Sequence, residues 1–313
     1  MKVIAQARVC QRLPGPAYSM FGNGKVPMKV KSKKFKLSII AILFAALALS
    51  GCGSSSDESS TVSGECTPGE LATVESGFLT IGTGEPAYYP WVIDDAPESG
   101  KGFEAAVAYA VAEELGYTAD QVKWIRTTFD GAIAPGPKAF DFNLQQYSIT
   151  DERKEVVDFS SPYYKANQAI VSFEGSSIQA VTDLAGLASA GAKLGAAVST
   201  TSLEAIEALG LTPSVFNNNA DAVAALKNKQ IDGIVVDLPT AFYLAAVEID
   251  QGVIVGQIDG SDSGDQGFGL LLSKDNPITG CVSTAVDALT ASGALAAITE
   301  EWLADAAGAP VLK

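Results

Sequence analysis

Ser148, Thr150 and Arg153 stand at a short, fixed spacing and could act together on one anion. A guanidinium presents a planar fork that pairs bidentately with a carboxylate, and neighbouring hydroxyls can satisfy the lone pairs that remain. The chemistry such a set supports is the anchoring of one small acid. The same residues also suit a solvated surface turn, because Asp151 and Glu152 adjoin Arg153 and exposed ion pairs contribute little. Scarcity favours the site, since the only arginines after Cys52 are Arg126 and Arg153. In the remainder of the stretch 147–164, Val156, Val157 and Phe159 read as scaffold, and Ser160, Ser161 and Pro162 read as a turn.

The elements around this stretch alternate between strand and helix, the pattern of an α/β architecture with mostly parallel sheets. Residues 78–82 (FLTIG) read as a first strand, and the loop 83–91 (TGEPAYYPW) follows it with Glu85, Tyr88, Tyr89 and Trp91. Loops after strands are where α/β proteins place ligands. Residues 102–116 read as an amphipathic helix, with Phe103, Val107, Val111 and Leu115 on one face and Gly116 as its stop. A strand at 122–125 leads to Phe129 and Asp130, and another lies around 140–144. Residues 168–173 read as a first crossing between two lobes. Strands at 193–198, 231–236 and 253–258 alternate with helices beginning near Thr201 and Ala220, and 264–272 reads as the return crossing. Residues 278–303 read as one or two helices broken near Gly293. No internal repeat is visible.

The N-terminal region has a different composition. Lys29, Lys31, Lys33, Lys34 and Lys36 lead into an apolar run at 37–49, an export signal shorter than the roughly 20 residues of a spanning helix. It ends at Leu49-Ser50-Gly51-Cys52, which resembles the lipobox of bacterial lipoproteins. That resemblance implies cleavage before Cys52 and a diacylglycerol on its thiol. Residues 1–52 are therefore assigned to a lipoprotein signal peptide, with Met28 as the alternative start, and the Ser-rich residues 53–67 to a flexible tether. Cys10 falls in the removed segment, which leaves Cys66 and Cys281 as a disulfide pair in an exported protein.

Residues 1–52 hold 9 of the 21 Lys plus Arg and none of the 36 Asp plus Glu, so the mature chain carries 12 − 36 = −24. Nucleic acid, which needs a basic face, is excluded as a partner by charge. The chain has no histidine, which removes His-based triads, His metal sites and imidazole acid/base chemistry. No metal or cofactor is expected. About 245 residues follow the tether, enough for two compact lobes.

On the motifs SITDERKEVVDFSSPYY at 148–164, Gly102-Phe103-Glu104 and IDGIVVD at 231–237, the chain resembles the extracellular solute-binding proteins of polar amino-acid ABC transporters, family 3, of the glutamine- and histidine-binding type. The resemblance covers residues 70–305 and is loosest at FDFNLQQ, 140–146. It implies a two-lobed, periplasmic-binding-protein-like clamp of type II, with a ligand cleft between lobes joined by two crossing strands. Lobe I takes 68–171 and 262–313, and lobe II takes 172–261.

By the same resemblance Arg153 grips the ligand α-carboxylate, with Ser148 nearby and Thr200 and Thr201 from the second lobe. The amides at a helix N-terminus suit that anion, although Thr201 also suits a plain N-cap. Asp237 matches the carboxylate that holds the ligand ammonium. Tyr88 and Phe129 match aromatics that sandwich the side chain, while Trp91 reads as core. Glu85 stands where relatives place an acid against the ligand side chain, which favours an amide or cationic ligand. Gln146 stands where the family commonly has a small hydroxyl residue.

The function implied is a lipid-anchored, monomeric receptor outside the cytoplasmic membrane that captures a polar L-amino acid for an ABC permease and is not an enzyme. Two alternatives share the fold. One is a cyclohexadienyl dehydratase-like lyase using Glu85, Asp130 or Asp237 as acid or base, and the other is a sensory amino-acid-binding module.

Overall fold

Residues 66–67, 70–260, 266–304 and 308–313 are described by the computed structural model of the protein. The chain divides into units 1–59 and 60–313, and all described residues belong to the second. The signal segment with Met28 and Cys52, and the tether as far as residue 65, lie outside the described residues.

The first part of the chain runs β1 (Leu79–Gly84), α1 (Phe103–Glu114), β2 (Val122–Thr127), α2 (Phe129–Ile133), β3 (Phe142–Asn143), α3 (Asp151–Lys154) and β4 (Val157–Tyr164). It continues through β5 (Gln168–Phe173), α4 (Leu184–Ser189), β6 (Leu194–Ala197), α5 (Thr201–Ala208), β7 (Ser214–Phe216), α6 (Asn219–Lys227), β8 (Gly233–Asp237), α7 (Leu238–Tyr243) and β9 (Gly252–Ile258). It closes with β10 (Phe268–Ser273), α8 (Thr279–Ser292), α9 (Ala294–Leu303) and β11 (Val311–Leu312).

The strands form two sheets, β2-β1-β3-β10-β4 and β11-β9-β5-β8-β6-β7. In the first, β1 runs parallel to β2 and β3, and β10 runs antiparallel to its neighbours. In the second, β6 runs parallel to β7 and β8, and β5 antiparallel to β8 and β9. Phe103, Val107 and Val111 of α1 are fully buried, joining Leu79, Ile81, Phe142 and Val282 in the core of the first lobe. Strand β5 shows why the second sheet is covered on both faces. Ala169 and Val171 enter one core with Ile234 and Val236, whereas Ile170 enters another with Leu194 and Val235, the period-two alternation of a buried strand.

Three sequence expectations change in the structure. Ser160, Ser161 and Pro162 lie within β4 and do not form a turn. β4 is an edge strand whose register against β10 shifts on both sides of Gly269, and edge or irregular positions are where a sheet tolerates proline. The Ser160 hydroxyl accepts from the Leu270 amide at 2.9 Å and so replaces a ladder bond. Residues 168–173 are a strand of the second sheet and 268–273 a strand of the first, so neither run is itself a crossing: the first crossing is the link 165–167, and the return lies between β9 and β10. Finally, Val311 and Leu312 pair in parallel with Gln257 and Ile258, which returns the C-terminal residues to the second sheet. Leu312 is buried there at 1% exposure. The expected break near Gly293 is present: this residue has φ 80°, and α8 and α9 meet at a 78° bend.

Cys66 and Cys281 are joined by a disulfide across 215 residues, tying the start of the fold to α8.

Candidate functional site

Parallel strands end side by side, and in open α/β sheets ligands lie beyond those carboxyl ends. Here the ends of β1, β2, β6 and β8 from both sheets converge on a cavity of about 360 Å³, within the range of small-molecule sites. Glu85 and Tyr88 follow β1, Phe129 and Asp130 follow β2, Thr200 and Thr201 follow β6, and Asp237 ends β8; all line it. Gln146 lines it from the loop after β3. Seven of the nine residues singled out in the sequence are therefore in the wall. Arg153 and Ser148 are not among the lining residues, but they adjoin it through the second lobe.

The loop after β1 is held in place from two sides. Arg126 donates to the Gly84 carbonyl at 2.7 Å and to Asp95 Oδ1 at 2.6 Å, and Asp95 Oδ1 accepts from the Ala87 amide at 2.8 Å. The start of α1 bonds back onto the same loop, Phe103 N to the Pro90 carbonyl and Glu104 N to the Trp91 carbonyl, both at 2.9 Å. Gly102 permits this approach: its φ is +102°, and a Cβ there would sit 2.6 Å from the Trp91 carbonyl oxygen. Trp91 is buried in the first core as expected, and its edge also reaches the cavity. Its indole Nε1 donates across the lobes to Thr240 Oγ1 at 2.8 Å, and Tyr89 packs against Tyr243 with ring centroids 5.1 Å apart.

Arg153 is 6% exposed and spans the lobes. Its Nη1 donates to the Ser148 carbonyl and its Nη2 to the Ser199 carbonyl, each at 2.8 Å. Ser199 is held at a positive φ of 62°, which marks a specifically constrained turn before α5. Thr150, grouped with Arg153 as an anion ligand in the sequence, is instead the N-cap of α3: its hydroxyl accepts from Arg153 N at 3.2 Å. Ser148 Oγ lies 3.2 Å from Thr201 Oγ1. Thr200 caps α5, accepting from Leu203 N at 3.2 Å and donating to the Ala197 carbonyl at 2.7 Å, so its hydroxyl is engaged within its own lobe. Phe129 stacks on Tyr147 at 4.7 Å between centroids, and the Arg153 guanidinium stands 5.5 Å from the Phe129 ring centre.

Two carboxylates in the wall are displaced from ordinary acidity. Burial pushes Asp237 up to about 6, against the lowering effect of a hydrogen bond from Gln168 Nε2 at 2.7 Å and the field of Arg153. Burial pushes Glu104 up to about 7, opposed by donors from Tyr163 and Gln146 and reinforced by the charge of Asp237. Glu104 was read in the sequence only as part of a helix start. A signal was present, since it is an acid in the first turn of a helix whose neighbouring residues are apolar. Gln168, which orients Asp237 and accepts from the Ser202 hydroxyl, and Asn217 to Asn219 in the wall carried no such signal.

A two-lobed α/β clamp with an acidic, aromatic-walled cleft at the strand ends defines an amino-acid-binding protein of the type II periplasmic class. The chain matches the Bacterial extracellular solute-binding proteins, family 3, over residues 79–305, and it belongs to that family. It is 27% identical over 272 residues to the Arginine-binding extracellular protein ArtP of Bacillus subtilis (strain 168), covering 86% of this chain and 98% of ArtP. Among solved structures it is similar to an ancestral arginine-binding protein bound to arginine, with 29% identity, a TM-score of 0.60, and coverage of 72% of this chain and 98% of the other. It is also similar to the ancestral amino acid-binding protein AncCDT-1, a precursor of cyclohexadienyl dehydratase, with 28% identity, a TM-score of 0.57 and coverage of 72% and 95%. The chain is thus a solute-binding protein of the amino-acid ABC-transporter family, whose members are extracellular or periplasmic.

Proposed function

We propose that the protein captures an L-amino acid with a cationic side chain and delivers it to an ABC permease. It does so as a non-enzymatic monomer tethered outside the cytoplasmic membrane by a lipid on Cys52. The observation that carries the ligand class is the charge of the cavity wall: Glu85, Glu104, Asp130 and Asp237 line it, with no lysine or arginine among the lining residues. The ammonium of a bound amino acid pairs with Asp237. Its carboxylate is met by Arg153, Ser148 and the α5 N-terminus at Thr200 and Thr201. These four zwitterion contacts leave Glu85 and Asp130 as acidic surplus, since Glu104 is occupied by Gln146 and Tyr163, and a cationic side chain lying between Tyr88 and Phe129 neutralises that surplus. An amide ligand gains less, since it brings no compensating charge. Lobe I then comprises 70–164 with 268–304, and lobe II 168–258 together with β11. The lipobox resemblance supports the anchor, and the similarity to ArtP supports both the cationic ligand and the transport role.

A thermal-shift screen of the standard amino acids tests the reading. At a hundredfold excess over Kd a ligand adds about 2.7 kcal/mol, or roughly 5 to 10 °C in a domain of this size. L-arginine or L-lysine is expected to give the largest shift. A larger shift with an acidic amino acid, or no shift with any, refutes it.

A further inference from the structure

Gln146 is a non-glycine residue held at a positive φ of 52° in the cavity wall, and the structure shows what holds it. The Glu104 carboxylate, 2% exposed, accepts the Gln146 backbone amide on Oε1 at 2.8 Å and the Gln146 side-chain Nε2 on Oε2. A third donor, the Tyr163 hydroxyl, also points at Oε1. An ionised carboxylate only accepts, so Gln146 must turn its NH2 group to Glu104, and Oε1 is the end of the amide not committed there. We propose that Glu104 is a positioning residue that sets which end of the Gln146 amide faces the cavity. Ionised, it makes the cleft prefer ligand side chains that only donate, such as a guanidinium, over an amide that can donate or accept, and protonated, it relaxes that preference.

The device rests on geometry. A protonated Glu104 carries an O–H that can donate to Gln146 Oε1, which lets the amide rotate and present Nε2 to the ligand. The groups facing Glu104 are Gln146 from the loop after β3, Tyr163 from β4 and Asp237 from the end of β8, with Tyr147 nearby. Burial keeps both tyrosines neutral, so the titrating neighbour is Asp237, which raises Glu104. Glu104 at about 7 places the switch near neutrality, with Asp237 at about 6 below it. The inference rests on the amino-acid reading above and adds to it a residue that governs side-chain selectivity.

L-arginine and L-glutamine share their α-groups, so the ratio of their Kd values cancels the titration of Asp237 and isolates side-chain recognition. Calorimetric titration of the wild-type protein with both, from pH 8.5 to 5.5, is expected to show the arginine preference falling on the order of tenfold through pH 7. Glu104→Gln should give a ratio flat with pH and close to the acid-limb value of wild type. Gln146→Ser, which leaves Glu104 in place, should also be flat. A step that survives in Glu104→Gln overturns the proposal, and so does one that survives in Gln146→Ser, since the charge would then act directly. A flat wild-type ratio with tight arginine binding overturns it while leaving the ligand class intact. A wild type that binds neither amino acid at any pH overturns the ligand reading, and this inference with it.

Discussion

The hydrogen bond from Trp91 Nε1 to Thr240 Oγ1 joins one lobe to the other, so the hinge opening that a two-lobed clamp implies would break it. Thr240→Val removes the acceptor with little change of shape. Thr240 is 4% exposed and Trp91 1%, and Thr240 does not line the cavity, so the substitution leaves a buried indole N–H unpaired without touching the ligand. An orphaned buried donor costs about 1 to 3 kcal/mol. When the lobes part, water replaces the lost acceptor, so the cost falls on the closed form alone and appears in affinity as roughly 5- to 150-fold. Calorimetric titration should therefore show Kd for arginine and glutamine rising by the same factor. Adding Trp91→Phe keeps the ring packing with Phe103, Tyr164 and Phe268, whose centroids lie 5.9, 6.0 and 6.1 Å away. With both partners apolar the pair should recover most of the loss, because removing both ends of a buried hydrogen bond is nearly neutral. Unchanged affinity in Thr240→Val, or a change confined to one amino acid, would refute the latch.

Three further outcomes follow from the site and its scaffold. Arg153→Lys replaces a fork that reaches two carbonyls with a point donor, and at about 1.5 to 3 kcal/mol per charged hydrogen bond it should weaken all amino acids alike by tenfold or more in the same titration. Asp237 has a folded value raised from 3.8 to about 6, so the folded state holds its proton longer than the unfolded chain and stability is lost as pH rises through that window. Asp237→Asn should accordingly flatten the pH 4 to 6 part of the ligand-free stability profile, add about 2 to 3 kcal/mol in denaturant unfolding at pH 8, and abolish amino-acid binding. Cys281→Ser opens a 215-residue loop, for which the chain-entropy account gives about 5 kcal/mol and measured losses run to about 2 to 5. Dithiothreitol should lower the melting temperature of the wild type and leave the variant unmoved.

What the sequence determined was local or composed of scarce residues. The four-residue period of Phe103, Val107, Val111 and Leu115 is a property of one helix and is visible without its partners, as is the short apolar run of 231–236 that ends at Asp237. Cys66 and Cys281 could be paired because, with Cys10 and Cys52 set aside, they remained as two. The aromatic and acidic loops after β1 and β2 announced a ligand because strand ends in α/β sheets face clefts. Tertiary structure alone decided how side chains spend their hydrogen bonds. Thr150 became a helix cap, Ser160 to Pro162 became an edge strand, and residues 311–312 returned to the second sheet, because each choice depends on a partner far away in the chain. Glu104 and Gln146 show the same limit: neither is unusual by itself, and their meaning arises where the start of α1 and the loop after β3 bring a buried carboxylate onto a strained amide.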